Sequence, residues 1–229
     1  MMNQRAIVLL SGGLDSATVL YHAQAAGDEC YALSFDYQQR HRRELHSAQA
    51  IAHSAAVHGH EIIPLDLGRW GGSALTQRDL DLPRQRHPAA MTQGIPITYV
   101  PARNTIFLSL ALAWAEVLGA KRVYLGANAL DYSGYPDCRE DYLLAMQQVY
   151  TLGTKRGREG QPIELAAPLL HLHKGEIIQL GQELGVPWEL TWSCYQGEEM
   201  ACGMCDSCIL RREGFRQAGI EDPLPYAGT

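Results

Sequence analysis

No apolar run in this sequence is long enough to cross a membrane. The longest, Ile106 to Ala115, is broken by Ser109 and closed by Glu116, well short of the roughly 20 residues a bilayer requires, and reads as a buried helix. No secretory leader is expected either, because the apolar stretch Ala6 to Leu10 is too short for a signal-peptide core and runs into Ser-Gly-Gly rather than a cleavage site. There is no cationic stripe: the formal net charge is -6, with both signs interspersed, so no nucleic-acid partner is expected. A disulfide framework is excluded by crowding, since four of the 6 cysteines fall between Cys194 and Cys208. Internal repeats and low-complexity tracts are absent too. These absences together predict a soluble cytoplasmic protein acting on small molecules, without membrane attachment.

What is present is an alternation. Short β-rich runs (Arg5 to Leu10, Glu29 to Phe35, Glu61 to Asp66, Arg122 to Gly126, Ile163 to Ala167) alternate with helical patterns (Ser16 to Ala26, Arg43 to His58, Asn104 to Leu118, Glu140 to Leu152). Such alternation forces crossover connections, and therefore a parallel sheet covered on both faces. With 229 residues and 46% hydrophobic composition, one α/β domain with a small appendage is expected. Residues 68–101, holding Gly71-Gly72, Pro83, Pro88, Gly94 and Pro96, are too long for an ordinary connection and read as an inserted loop or lid. A helix from Lys174 to Leu184, stopped by Gly185 and Pro187, precedes the cysteines, and a last helix spans Ser207 to Ala218.

Directly after the first strand and before the first helix stands Ser11-Gly12-Gly13-Leu14-Asp15-Ser16. Glycines let a backbone approach an anion closely, and the amides and dipole at a helix start hold its charge, so this is a candidate phosphate cradle. Ser11 and Ser16 add hydroxyls. Asp15 either caps the helix or acts through a bound Mg²⁺. A dinucleotide site would need Gly-x-Gly-x-x-Gly and a Walker loop Gly-Lys-Ser/Thr; neither occurs.

The motif Cys194-x7-Cys202-x2-Cys205-x2-Cys208 offers four thiolates to one ion. Structural Zn²⁺, one per chain and closed to substrate, is the expected occupant, pinning the C-terminal segment to the body. Iron–sulfur ligation competes, as does a redox or sulfur-carrying pair Cys205 and Cys208. Cys30 reads as a small core hydrophobe, and Cys138 as a spectator or a piece of pocket wall.

The loop resembles that of the N-type ATP pyrophosphatases, which split ATP between its α and β phosphates and adenylate a substrate oxygen. That resemblance implies an adenine nucleotide alpha hydrolase-like sheet of order 3-2-1-4-5 with ATP at the switch point. It implies ATP contacts from Leu10, Ser11, Gly12, Gly13, Leu14, Asp15, Ser16, Ala17 and Thr18, with adenine near Ser34 and Phe35, and Mg²⁺ accompanying the nucleotide. Lys174, opening its helix, resembles the second basic element of these enzymes and would neutralise the departing pyrophosphate alongside Asp15.

Four further segments narrow the family. Phe35-Asp36-Tyr37-Gln38-Gln39-Arg40-His41-Arg42, Val100-Pro101-Ala102-Arg103-Asn104, Asp131-Tyr132-Ser133-Gly134-Tyr135-Pro136-Asp137-Cys138-Arg139 and Thr191-Trp192-Ser193-Cys194-Tyr195 resemble those of the 7-cyano-7-deazaguanine synthases. The resemblance spans nearly the whole chain. It implies ATP-dependent conversion of 7-carboxy-7-deazaguanine and ammonia to the nitrile preQ0 through adenylated acid and amide, a step toward queuosine. Domains would then be 1–187 (ATP-binding) and 188–229 (zinc-binding). Tyr132 and Tyr135 would stack on the base, Asp131 or Asp137 would accept its N–H groups, and Arg103, beside Asn104, or Arg139 would hold its carboxylate. The basic run Arg40 to Arg43 reads as a ligand contact, an oligomer contact or a solvated face.

No glutaminase module is present, so free ammonia or a supplying partner is expected. A homodimer is allowed. The competing functions are a tRNA-thiolating enzyme with the same loop and a nucleotide-binding regulatory module without turnover.

Overall fold

A computed structural model describes residues 4–87, 91, 94–128, 134–196 and 199–227. Five strands, β1 (Gln4–Leu9), β2 (Asp28–Asp36), β3 (Gly59–Pro64), β4 (Arg122–Tyr124) and β5 (Glu164–Ala166), form one sheet in the order β3-β2-β1-β4-β5. Every pairing is parallel. This is the doubly wound α/β architecture, and the strand order, that the sequence predicts. The helices are α1 (Leu14–Ala25), α2 (Arg43–Ser54), α3 (Arg103–Leu118), α4 (Glu140–Leu152), α5 (Lys155–Arg158), α6 (Lys174–Glu183) and α7 (Asp206–Ala218). Among the described residues, no helix is long and apolar enough to cross a membrane.

β1 is the middle strand, and its side chains alternate between two cores. Ile7 and Leu9 join Leu33, Phe35 and Val123 against α3 and α4, while Ala6 and Val8 join Cys30 and Ala32 against α1, α2 and α6. A strand buried on both faces reads as a continuous apolar run, which is what Ala6 to Leu10 does. Cys30 is in the core as expected.

Some boundaries differ from expectation. α2 stops at Ser54 rather than His58, because Ala56 takes a left-handed conformation (φ 47) that no α-helix continues through. β4 ends at Tyr124, and Gly126 leaves the sheet. α5 was not expected; Thr154 caps it, its hydroxyl accepting from the Gly157 amide at 3.0 Å.

The basic run is divided: Arg40 is tied down, whereas Arg42 and Arg43 are exposed, as a solvated face would have them. Arg40 Nε donates to the Ala74 carbonyl (2.5 Å) and its Nη2 to Gln77 (2.8 Å), fixing the long insertion, while Arg42 pairs with Asp36 (3.0 Å). Arg43 lies over the Trp192 ring, 4.7 Å from its centroid. The insertion also reaches the cysteines: Arg84 bridges to Cys205, the Gln85 amide donates to Met204 (2.8 Å), and Arg86 pairs with buried Asp206.

The C-terminal segment has its own small core of Trp192, the four cysteines, Ala201, Leu224 and Tyr226. Arg211, 1% exposed, anchors it by pairing with Asp222 (2.9 Å) and donating to Thr191 Oγ1 (2.7 Å). α7 then lies against α6 at Gly214, where an added Cβ would meet Lys174 Cγ at 2.4 Å and Ile178 Cδ1 at 2.9 Å. Gly214→Ala is therefore expected to cost about 1 to 3 kcal/mol in urea denaturation and to displace the Lys174 stem; an unchanged midpoint would show that the two helices can separate freely.

Candidate active site

The cleft opens beyond the carboxyl ends of β1, β2 and β4, where parallel sheets that reverse their winding bind ligands. Leu10, Ser11, Gly13, Leu14, Asp15 and Ser16 line one end. The loop is internally braced: Ser16 Oγ donates to the Gly13 carbonyl (3.0 Å) and accepts from the Ser11 amide (3.1 Å), and the two serine hydroxyls lie 3.0 Å apart. No side chain caps α1. Its leading amides remain available to an anion.

Neighbours hold the loop from outside. Gly12 (φ 88) does not line the cleft; it lets α2 pack closely, since a Cβ there would fall 2.1 Å from the Glu44 carbonyl oxygen. The Trp192 amide donates to the Gly12 carbonyl (2.9 Å), and Gly126 allows the end of β4 within 3.2 Å of the Asp15–Ser16 backbone. Of the two roles expected for Asp15, capping is not the one it takes. Its carboxylate receives Lys174 Nζ on both oxygens at 2.8 Å each, with the two side chains only 27% and 12% exposed. Lys174 is thus no solvated helix-end lysine. Glu176 steadies α6 at its start by accepting from the His173 amide (2.7 Å).

Three residues expected at the nucleotide point elsewhere. Ser34 is 1% exposed on the opposite side of β2 from the cleft-lining Leu33 and Phe35, donating to the Leu10 carbonyl (2.5 Å) and bonding His60 Nε2 (2.8 Å). Thr18 is fully buried and donates back to Leu14 (2.9 Å), and Ala17 is in the core behind the loop.

The other end of the cleft is aromatic and basic. Phe35 stacks on Phe107 with centroids 3.9 Å apart, and Tyr37 packs against the same ring. Arg103 opens α3 after Ala102, a non-glycine residue held left-handed (φ 55), the kind of local strain that surrounding structure must impose. Its guanidinium lies over the Tyr135 ring at 5.9 Å. Burial opposes that charge, but Tyr37, Tyr135, Cys138 and Asp137 outweigh the penalty and raise its pKa further.

Asp137 and Asn104 are committed to structure. The Asp137 carboxylate accepts from the Asn104 amide (3.0 Å), satisfying the start of α3, and Asn104 Nδ2 donates to the Asp137 carbonyl (3.1 Å) and Cys138 Sγ (3.1 Å). Asn104 still borders the cleft; Asp137 does not. Cys138 is pocket wall, and burial pushes its thiol up to about 11, so it is not a thiolate nucleophile. Arg139 is exposed at the start of α4, outside the cleft, whereas Tyr135 lines it and bonds Thr98 through its hydroxyl (2.9 Å). Asp131 and Tyr132 lie outside the described residues.

Sequence reasoning missed Glu44, Tyr37, Phe107 and Trp192, all of which line the cleft. Glu44 has its carboxyl pushed up to about 7 by burial, with Arg103 pulling it down and Cys194 pushing it up. A glutamate in the first turn of a helix reads as a dipole complement.

The four cysteines are buried, and their Sγ atoms all lie within 4.8 Å of one another, with Cys202 and Cys208 4.0 Å apart. One tetrahedral ion with metal–sulfur bonds of about 2.3 Å spaces its sulfurs at roughly 3.8 Å, so the set fits a single metal ion. Backbone amides of Gln196 (3.4 Å) and Cys202 (3.3 Å) point at Cys194 Sγ, those of Met204 (3.4 Å) and Cys205 (3.3 Å) at Cys202 Sγ, the usual support for thiolate charge. Cys205 and Cys208 hold the Cys194 thiol far below its ordinary range, while Cys205 is pushed up to about 12 and Cys208 higher. A bound cation would resolve that competition.

A family model described as "Queuosine biosynthesis protein QueC" matches residues 5–219. Relatives named "7-cyano-7-deazaguanine synthase" include one from Nostoc sp., 66% identical over 223 residues (97% of each chain). Another, from Thermosynechococcus vestitus, is 66% identical over 224 residues (98% of this chain, 96% of the relative), and one from Cellvibrio japonicus is 53% identical over 229 (99% and 100%). Among solved structures, an NMN synthetase from Francisella tularensis aligns with a TM-score of 0.50 at 15% identity, covering 96% of this chain and 78% of that one, a likeness of fold.

Stripping the ion with a strong chelator is expected to lower the melting temperature by at least about 5 °C and to open residues 199–227 to protease, an effect that grows as pH falls because the ligands must be thiolates. A metal-depleted protein melting at the same temperature would show that the cysteines hold no ion.

Proposed function

This chain belongs to the family of 7-cyano-7-deazaguanine synthases, and from that premise we infer that its cleft joins ammonia to 7-carboxy-7-deazaguanine and dehydrates the amide to the nitrile preQ0, using ATP, in queuosine biosynthesis. One observation supports the residue roles best: the phosphate loop with Lys174 and the guanidinium of Arg103 share a single cleft. That spacing suits a reaction in which a carboxylate must meet the α phosphate of ATP.

A carboxylate is a poor electrophile, and adenylation turns one of its oxygens into a leaving group. The α1 amides and Ser11 receive the phosphates, and Mg²⁺, when bound with ATP, screens their charge. Lys174 is held by Asp15 where negative charge gathers on the departing pyrophosphate. Arg103 grips the substrate carboxylate, and Tyr135 offers its ring to the base.

A carboxylate oxygen then bonds to the α phosphorus as pyrophosphate leaves. Ammonia adds to the acyl carbon, loses a proton, and expels AMP to give the amide. The amide oxygen displaces pyrophosphate from the α phosphorus of a second ATP, and loss of AMP with the two remaining N–H protons leaves the nitrile. Both activations need the same phosphate geometry, so one loop serves both.

The four thiolates hold one zinc ion per chain, a closed site whose role is structural. Polynuclear iron–sulfur centres spread their thiolates over several irons and need wider sulfur spacing than this set offers. With all four sulfurs converging, none is left as the sulfur carrier a tRNA-thiolating enzyme would require.

Incubation with 7-carboxy-7-deazaguanine, ammonium and Mg-ATP is expected to give a product about 19 mass units lighter, the difference between a carboxyl group and a nitrile, with AMP and pyrophosphate released. Metal analysis is expected to find zinc near one per chain. A brown, iron-containing protein inert toward the acid would instead favour the thiolating reading. Lys174→Ala is expected to lower kcat by about 10²- to 10³-fold, the size of a lost transition-state charge partner; a wild-type rate would remove Lys174 from the chemistry.

A further inference from the structure

Five charged side chains line the cleft among the described residues: Asp15, Glu44, Arg103, Lys174 and Arg211. Asp15 and Lys174 neutralise each other, and Arg211 is paired with Asp222. Glu44 and Arg103 remain. They sense one another and flank the buried Tyr37, yet form no salt bridge, and the Glu44 carboxylate accepts no hydrogen bond among the described residues. A partly desolvated carboxylate without donors is costly, and a well-packed protein retains one where a ligand supplies them.

Glu44 cannot retreat. Its backbone is fixed where the first turn of α2 presses on Gly12. The charges that act on its carboxyl are those of Arg103 and, with opposite sign, Cys194, not those of Asp15 or Lys174 at the phosphate end, and it lines the cleft together with Tyr37, Arg103 and Tyr135. Its carboxylate therefore belongs to the part of the cleft with Tyr37, Arg103 and Tyr135, where the acid is bound, rather than to the metal-nucleotide end.

We propose that Glu44 is the specificity residue for the deazaguanine, its two carboxylate oxygens accepting the N1–H and 2-amino N–H of the base while Arg103 holds the carboxylate on the opposite edge. This rests on the function inferred above and assigns the base edge to a residue the sequence motifs do not single out. The chemistry is matched at both ends. A guanine-type edge offers two adjacent donors, a carboxylate two acceptors and no donor, and the carboxylate of the acid meets a fork of guanidinium donors. Asp137, the other carboxylate near this end, already serves the Asn104 amide.

Steady-state kinetics on Glu44→Gln and Glu44→Asp test this, with thermal melts confirming that each variant folds. Gln keeps the shape but faces one substrate donor with an amide donor. Its KM for 7-carboxy-7-deazaguanine is expected to rise about ten- to hundredfold, the scale of a lost hydrogen bond to a charged group, with the KM for Mg-ATP unmoved. Wild type is expected to discriminate against 7-carboxy-7-deazahypoxanthine, which lacks the 2-amino group, and the Gln variant to lose most of that discrimination. The retracted Asp should be intermediate.

A fall in kcat with the KM for the acid unchanged would make Glu44 a proton acceptor and overturn the assignment. So would a selective rise in the KM for Mg-ATP, which would make it a ligand of the nucleotide's cation. Absence of wild-type conversion would overturn the function on which the assignment rests, an outcome visible before any variant is compared.

Discussion

The approach of the first loop to its neighbours is the constraint on which the site depends. Gly12 lies against the Glu44 carbonyl, Gly126 against the Asp15–Ser16 backbone, and the Trp192 amide on the Gly12 carbonyl. Lys174 closes the ring from α6 through Asp15. Four elements distant in sequence thus fix one six-residue turn. Electrostatic catalysis needs its donors in place before charge develops, because donors that must reorganise return part of what they stabilise. A loop braced from four sides meets that condition without any ligand.

The same ring shows what a metal ion held by the four cysteines would do in a ligase of this size. Cys194 stands two residues from Trp192, whose indole N–H donates to the Cys194 carbonyl (2.9 Å) and whose backbone amide holds Gly12. Cys205 carries the bridge to Arg84, and Asp206 the pair with Arg86, so the centre also fastens the long insertion that brings Leu75 to the cleft. Arg211 binds Asp222 and Thr191 beside it. Four thiolates on one ion would orient two walls of the cleft at once, which a short C-terminal segment with a small core of its own could not do by burial alone.

Much of this was legible in the sequence. Alternating strands and helices are local periodicities, and the sheet order and loop follow from the phosphate motif and the family it resembles. The four cysteines announce themselves by spacing. What stayed hidden depends on which way side chains point and on what lies opposite them. Ser34 and Phe35 are neighbours at the end of β2, but successive residues of a strand face opposite sides, so only Phe35 reaches the cleft. Asp137 looked like a base-binding carboxylate until the start of α3, thirty-odd residues away, claimed it. Glu44 is not singled out by its sequence, because α2 alone does not reveal that its first turn is pressed into the site.

Two successive activations at one loop set a requirement that a single activation does not. In the first, the substrate carries a carboxylate, and with the roles proposed above its attraction to Arg103 would help to place it. Once ammonia has reacted, the same atom position bears a neutral amide, and most of the charge-assisted contact with Arg103 is gone. The product nitrile is again neutral. If Arg103 were the principal grip, the amide would be held least well at the moment it must be activated again. The base edge, by contrast, is chemically unchanged from acid through amide to nitrile. A carboxylate facing that edge contributes equally to all three species, which keeps the amide oriented toward a fresh α phosphate while the loss of the carboxylate contact lets the reacting carbon shift to present its oxygen. With Arg103 and Glu44 in their proposed roles, an acid grip at one edge and a constant base grip at the other would divide the work, one distinguishing the first substrate and the other carrying the molecule through both steps.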